Sequence, residues 1–368
     1  MVCKVNKYQV AKTVAFLTVA LTGCGGGGGG GVNVSANTET APKVDAKDVG
    51  TLLTILPTST YKSGSRDAEL FAQINAARGA EFGYLVQSEQ LDKAATAHAL
   101  YIQTAFQIPE IDPDGNHYSE NGVPMYKNGN PNFNNVTANR LIGAHVEEIG
   151  RLNFTGVTSG DRAFAAGYVG AKTSAVSEVI AEEGLRFVFK NPCVDQFLSS
   201  VFHRSEILST TFSDIGIGSS ALLTFTTRTC VLNLSYPSTP RITPNNWTAV
   251  YPRDGSSNIP TRMWTHEVPD PASDYKVKGM PISFHGTPGK ALIVSDFKLT
   301  GPSGLVKTRL LTNSDSSYIK SSEAFILPDG ALEGSTKYTV AIVAEIGGIK
   351  INKTWSFTTT LAGDAGRL

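Results

Sequence analysis

From Asp67 onward the hydrophobic period of the chain changes from helical to strand-like. Between 67 and 79 the apolar positions Leu70, Phe71, Ile74 and Ala77 recur at helical spacing, and the run stops at Gly79. This predicts an amphipathic helix. Ser88 stands where a cap opens a second helix, which carries Leu91, Ala94, Ala95, His98 and Ile102 along one side. A Pro/Asn/Gly-rich insert over 109–135 separates it from a third predicted helix over 136–149. A fourth is predicted over 194–207, just after Pro192. Beyond it, 214–218, 222–227 and 230–235 read as short strands. Helices first and antiparallel strands late predict an α+β domain over 65–237.

Four prolines between Pro237 and Pro252 mark a linker over 238–257. The chain then turns strand-like at 281–285, 291–299, 306–311, 336–345, 349–351 and 354–360, with turns at Gly301-Pro302, 328–330 and Gly347-Gly348. Tyr338, Val340 and Ile342 alternate with polar or small residues, the signature of a strand with one buried face. That spacing predicts an all-β sandwich over 258–361 and a short tail, 362–368. The 368 residues thus divide into about two domains.

The N-terminus reads differently. Lys4, Lys7 and Lys12 precede an apolar run over 14–21 that is too short to span a bilayer, the pattern of an export signal. It ends in Leu21-Thr22-Gly23-Cys24, which resembles the lipobox of bacterial lipoproteins. The resemblance implies cleavage after residue 23, acylation of Cys24 and a membrane partner through that lipid; Gly25 after the cysteine implies the outer membrane. Residues 24–64, which include seven consecutive glycines, read as a tether. No later stretch has the apolar length of a membrane helix. The 32 Lys+Arg balance the 32 Asp+Glu, which excludes a nucleic-acid binder working through a basic surface.

Of four cysteines, Cys3 leaves with the signal and Cys24 carries lipid. Export makes the remaining pair, Cys193 and Cys230, a predicted disulfide. Neither sits in a short Cys/His metal-binding spacing.

Several phrases, in order, resemble the bacterial branch of the CAP superfamily (cysteine-rich secretory proteins, antigen 5, plant pathogenesis-related 1). They are Phe71-Ala-Gln-Ile-Asn75-Ala-Ala-Arg78, Leu91 to His98, His145 to Gly156, Asp161 to Tyr168, Ser177-Glu178-Val-Ile, Ser200-Val-Phe-His203-Arg204 and Asp214-Ile-Gly-Ile-Gly218. The resemblance implies a CAP-like α-β-α sandwich whose open cleft holds two histidines and two acids. His145, Glu178 and His203 match three of those positions. The fourth acid is missing, because the helix reads Phe197-Leu-Ser-Ser200. Arg204 joins the cleft beside His203, able to pair with Glu178 or Glu206. In the second half, Leu332 to Tyr338 resembles a tyrosine corner, and Trp355 to Thr359 resembles the last strand of bacterial Ig-like modules.

Two imidazoles and a carboxylate facing one cleft are a Zn²⁺ ligand set with an open position, a general acid/base set, or a hydrogen-bonded polar floor. His98 lies on an apolar helix face and reads as core. Glu147 and Glu148 read as solvated, His117 as a loop residue, His266 and His285 as isolated. No Gly-x-Ser-x-Gly elbow or phosphate-cradling loop is present. The leading expectation is an exported, lipid-anchored protein of the bacterial cell envelope that binds a lipid, glycan or other envelope component in the CAP cleft. The alternatives are a metal-assisted hydrolase using His145, Glu178 and His203, and a structural or adhesive surface protein.

Overall fold

The hydroxyl of Ser65 accepts the Ala68 N–H and opens helix α1, Arg66–Phe82. Gly79, at φ +57°, breaks the helical run inside that span, at the stop the sequence predicts. The computed structural model describes residues 51–105, 145–147, 149, 153–172, 176–184, 192–221, 227–237, 240–263, 267 and 269–361. The expected export signal, Cys24, His117, Glu148, His266 and the 362–368 tail lie outside them. No described helix is long and apolar enough to cross a membrane.

Ser88 opens the second helix as expected: its backbone carbonyl accepts the Asp92 N–H, and α2 runs Glu89–Ala105. The short strand β1, Val86–Gln87, pairs parallel with β3, Asp214–Ala221. Strands β2 (Ser177–Gly184) and β4 (Thr227–Ser235) complete an otherwise antiparallel sheet in the order β1-β3-β4-β2. Helices α3 (Ser159–Ala165) and α2 cover one face. The other face carries α1, α4 (Pro192–Leu198) and α5 (Phe202–Ile207), with Leu70, Ile74, Phe197, Ile207, Ile215 and Leu232 in the core between them. The α+β architecture is therefore as predicted.

Two helix assignments change. Of the helix expected over 136–149, residues 136–144 and 148 lie outside the described ones, while 145 and 149 are turn and 146–147 have no regular structure. The helix expected over 194–207 is broken at 199–201. There the Ser200 hydroxyl donates to the Phe197 carbonyl at 2.7 Å, and the Glu267 carboxylate takes the backbone N–H groups of Val201, Phe202 and His203 at 2.8, 2.5 and 3.0 Å. A carboxylate on three successive amides starts a new helix rather than letting the first continue.

The predicted disulfide is present, joining Cys193 on α4 to Cys230 on β4 across 37 positions. Closing a loop of that length stabilises the fold by roughly 4 kcal/mol on the chain-entropy account.

The second half is two facing sheets. One has the order β10-β11-β7-β5, from Thr308–Thr312, Glu323–Pro328, Ile282–Gly286 and Thr248–Tyr251; the other has β6-β13-β12-β8-β9, from Ser256–Ile259, Ile349–Thr359, Lys337–Ile346, Leu292–Gly301 and Gly304–Leu305. Phe284, Ile326, Leu299, Val340, Ile342, Trp355 and Phe357 fill the space between them. The Tyr338 hydroxyl accepts the Glu333 N–H at 2.8 Å, closing the corner between strands. The span expected as linker, 238–257, contains β5 and the start of β6, so the sandwich begins earlier than its proline content suggested. Likewise the end of the expected tether is packed. The Leu53 carbonyl accepts the Tyr84 N–H at 2.8 Å, Thr60 N–H donates to Gln87, and the Tyr61 hydroxyl donates to Asp92 at 2.5 Å.

The halves share buried surface. Val201, just before α5, and Phe202 at its start pack with Met263, Ile319, Phe325 and Leu327 of the second half. Lys320 reaches the Ser205 carbonyl and Glu206, and the Ser205 hydroxyl donates to Glu323.

Candidate functional site: a buried charge cluster with one exposed imidazole

Close packing of α2 on the sheet sets the depth of the site. A Cβ at Gly216 would sit 2.1 Å from Leu91 C, and one at Gly218 2.1 Å from Thr96 N. Only glycines on β3 let the helix lie this close, and this brings His98 down onto β2. From the other side, a capping box between Thr158 and Asp161 fixes the start of α3. Arg162, one residue later, is thereby turned inward and buried.

Glu178 on β2 receives these groups. Arg162 Nη2 donates to both its oxygens at 2.8 Å, His145 Nδ1 lies 3.1 Å from Oε1, and His98 Nε2 lies 3.5 Å from the same oxygen. His98 Nδ1 is 2.9 Å from Glu147 Oε1, and the Thr155 and Gly156 amides donate to Glu147 Oε2 at 2.5 and 3.2 Å. Two carboxylates and one guanidinium leave one negative charge. A doubly protonated His98, with a carboxylate on each ring nitrogen, would balance it. Only the His145 side chain, 40% exposed, meets solvent substantially; the side chains of His98, Glu147, Arg162 and Glu178 are at most 2% exposed.

A carboxylate only accepts, so the His145 nitrogen facing Glu178 carries the hydrogen. In the neutral ring Nε2 is then an acceptor. Val146, the next residue, and Val157, whose carbonyl accepts the Glu147 N–H at 3.0 Å, both expose apolar side chains on the segments that carry this imidazole.

Burial by itself raises the Glu178 carboxyl. The His145 hydrogen bond and the charges of His98 and Arg162 outweigh it and hold the group below its usual range. Glu147 is likewise raised by burial but pulled lower by the His98 and Thr155 hydrogen bonds and by Arg162. A depressed folded-state value stabilises the fold above the unfolded value and loses that contribution as pH falls through the folded one. Stability is therefore expected to be full at neutral pH and to decline from about pH 4.3 downward. Glu178→Gln should flatten that decline when denaturation midpoints are followed against pH.

The structure brings His145 and Glu178 together as expected but not His203 or Arg204. Side chains alternate along β2. The Ser177 hydroxyl donates to Glu206 on α5, whereas Glu178 turns the other way, toward α2 and α3. His203, on α5, is thus on the opposite face of the sheet, with Nδ1 3.5 Å from Glu267 and 3.3 Å from the Ser200 hydroxyl. Arg204 is fully buried. It donates to the carbonyls of Leu198 and Pro281 and lies 4.8 Å from the Tyr251 ring centroid, so it lines no cleft.

The expected metal does not fit these residues. Arg162 occupies both Glu178 oxygens, and among the described residues no group of three His, Cys, Asp or Glu has metal-holding geometry. His98 is fully buried as expected, and Glu147, expected in solvent, is buried beside it; both belong to the cluster. Arg162 was missed, although Thr158-x-x-Asp161 announces its helix. The second-half group Ser205, Glu323 and His285 contains a hydroxyl, a carboxylate and an imidazole. It is buried, and the serine donates to Glu323 rather than to His285, so it braces the interface.

No family model matches the chain, and no curated protein matches it. Among solved structures, a titin fragment is similar over 51% of this chain and 91% of its own, at 8% identity and a TM-score of 0.18, a level that carries no argument.

Proposed function

We propose that the chain is an exported, lipid-anchored protein of the bacterial cell envelope whose CAP-like first half binds an amphipathic ligand at His145, with an Ig-like second half fused to it as a brace. The observation that carries the binding reading is the half-exposed imidazole held on a fully buried carboxylate. Glu178 and Arg162 fix the ring's orientation and tautomer before any ligand arrives, so little ordering cost is left at binding. A ligand hydroxyl or amide donates to His145 Nε2, and its apolar body lies against Val146 and Val157. Lipids and glycan-bearing envelope fragments both offer that combination. Catalysis is the weaker reading, because His203 and a metal are not available to the same imidazole.

Titrating the full chain with phospholipid and with peptidoglycan fragments tests this. Saturable binding to one class is expected, weakened about tenfold in His145→Ala, the equivalent of one hydrogen bond. Absence of saturable binding to either, or equal binding by the variant, would reject the reading.

A further inference from the structure

Glu178 faces Asn233 across the β2–β4 ladder, as direct partners in register. Opposite residues of an antiparallel pair share a face, with Cβ atoms roughly 5 Å apart. Asn233 is therefore on the α2 side with Glu178, and it is fully buried. Neither Oδ1 nor Nδ2 has a hydrogen-bond partner among the described residues, and neither does Arg162 Nε in the same cluster. On its other side Asn233 is paired with Gly216, which has no side chain to offer. Glu178 Oε2, for its part, receives only the Arg162 bond among the described residues, and a carboxylate oxygen can take a second.

A buried carboxamide with both ends unmet is costly, and a leucine of the same shape would remove the cost. Its place beside a carboxylate with spare accepting capacity has one economical explanation. We propose that Asn233 and Glu178 hold a buried water molecule between them. The water accepts from Asn233 Nδ2 and donates to Glu178 Oε2. Asn233 is then a positioning residue: through the water it shares the load on Glu178, and so sets the strength of the Glu178–His145 hydrogen bond. The inference shares Glu178 with the binding site proposed above but is tested in the free protein, so it stands or falls independently of any ligand.

Two measurements on the full chain decide it. A high-resolution crystal structure should show a water within about 3 Å of both Asn233 and Glu178. Asn233→Leu should lower the thermal midpoint by roughly 2–4 °C and move the His145 Nδ1–H proton resonance downfield, because Glu178 has lost a competing donor. Asn233→Ser, which keeps a hydroxyl for the water, should hold that resonance near its parent position. Absence of the water, or a leucine variant as stable as the parent or more so, overturns the site. A resonance unmoved in Asn233→Leu overturns the positioning role. Should the leucine variant fail to fold, the crystal structure of the parent and the serine comparison still decide.

Discussion

Arg162→Leu is expected to destabilise the protein by about 3–5 kcal/mol, the usual cost of leaving buried carboxylates without their cation. Arg162 supplies both bonds to Glu178 and lies 3.8 Å from Glu147, and all three side chains are almost wholly buried. The substitution leaves two buried carboxylates without their guanidinium. Removing Glu178 as well takes one of them away and leaves Glu147 with its His98, Thr155 and Gly156 bonds. The double variant Arg162→Leu/Glu178→Leu should therefore be more stable than Arg162→Leu alone. Urea denaturation of the parent, both single variants and the double variant closes the cycle. A double variant as damaged as the sum of the two singles would contradict the charge-balance account.

Arg204→Ala is expected to cost a similar amount, about 3–5 kcal/mol, by a different route. Burial pushes this guanidinium down to about 10, so it remains charged at neutral pH. It donates to Leu198 at the end of α4 and to Pro281 beside β7, joining the two halves at one point. Truncation strands both carbonyls, opens a cavity and removes the cation over the Tyr251 ring. The single unfolding transition expected of the parent should separate into two in this variant, observable by calorimetry. A one-step transition with an unchanged midpoint would show that Arg204 is dispensable.

Much of the fold was legible because local signals agreed with it. Ser88 and Gly79 marked helix ends, and Tyr338 to Ile342 alternated as a half-buried strand does. What escaped was decided by partners far along the chain. The break at 199–201 is imposed by Glu267, more than sixty positions away, and no local propensity announces it. Strand β11 has no period of two because both its faces are buried: Ala324 and Ile326 face the sandwich core, while Phe325 and Leu327 meet α5. Its uniform apolar run carried no strand signature. At the site, His145 and Glu178 came from ordered phrases, and their contact is present. His203 came from the same phrases, yet the parity of β2 puts it behind the sheet. His98 looked like core because a buried ion pair and a buried leucine occupy the same helical stripe. Only the distant Glu147 and Glu178 distinguish them.

The packed stretch at 53–61 determines where mechanical load from the N-terminal side enters the folded body. Tension arriving along the preceding chain meets the Leu53–Tyr84 and Thr60–Gln87 bonds and the Tyr61–Asp92 clasp before it reaches Ser65. The force is thus delivered to the edge strand β1 and the first turn of α2. The first turn of α1 is thereby spared the direct pull.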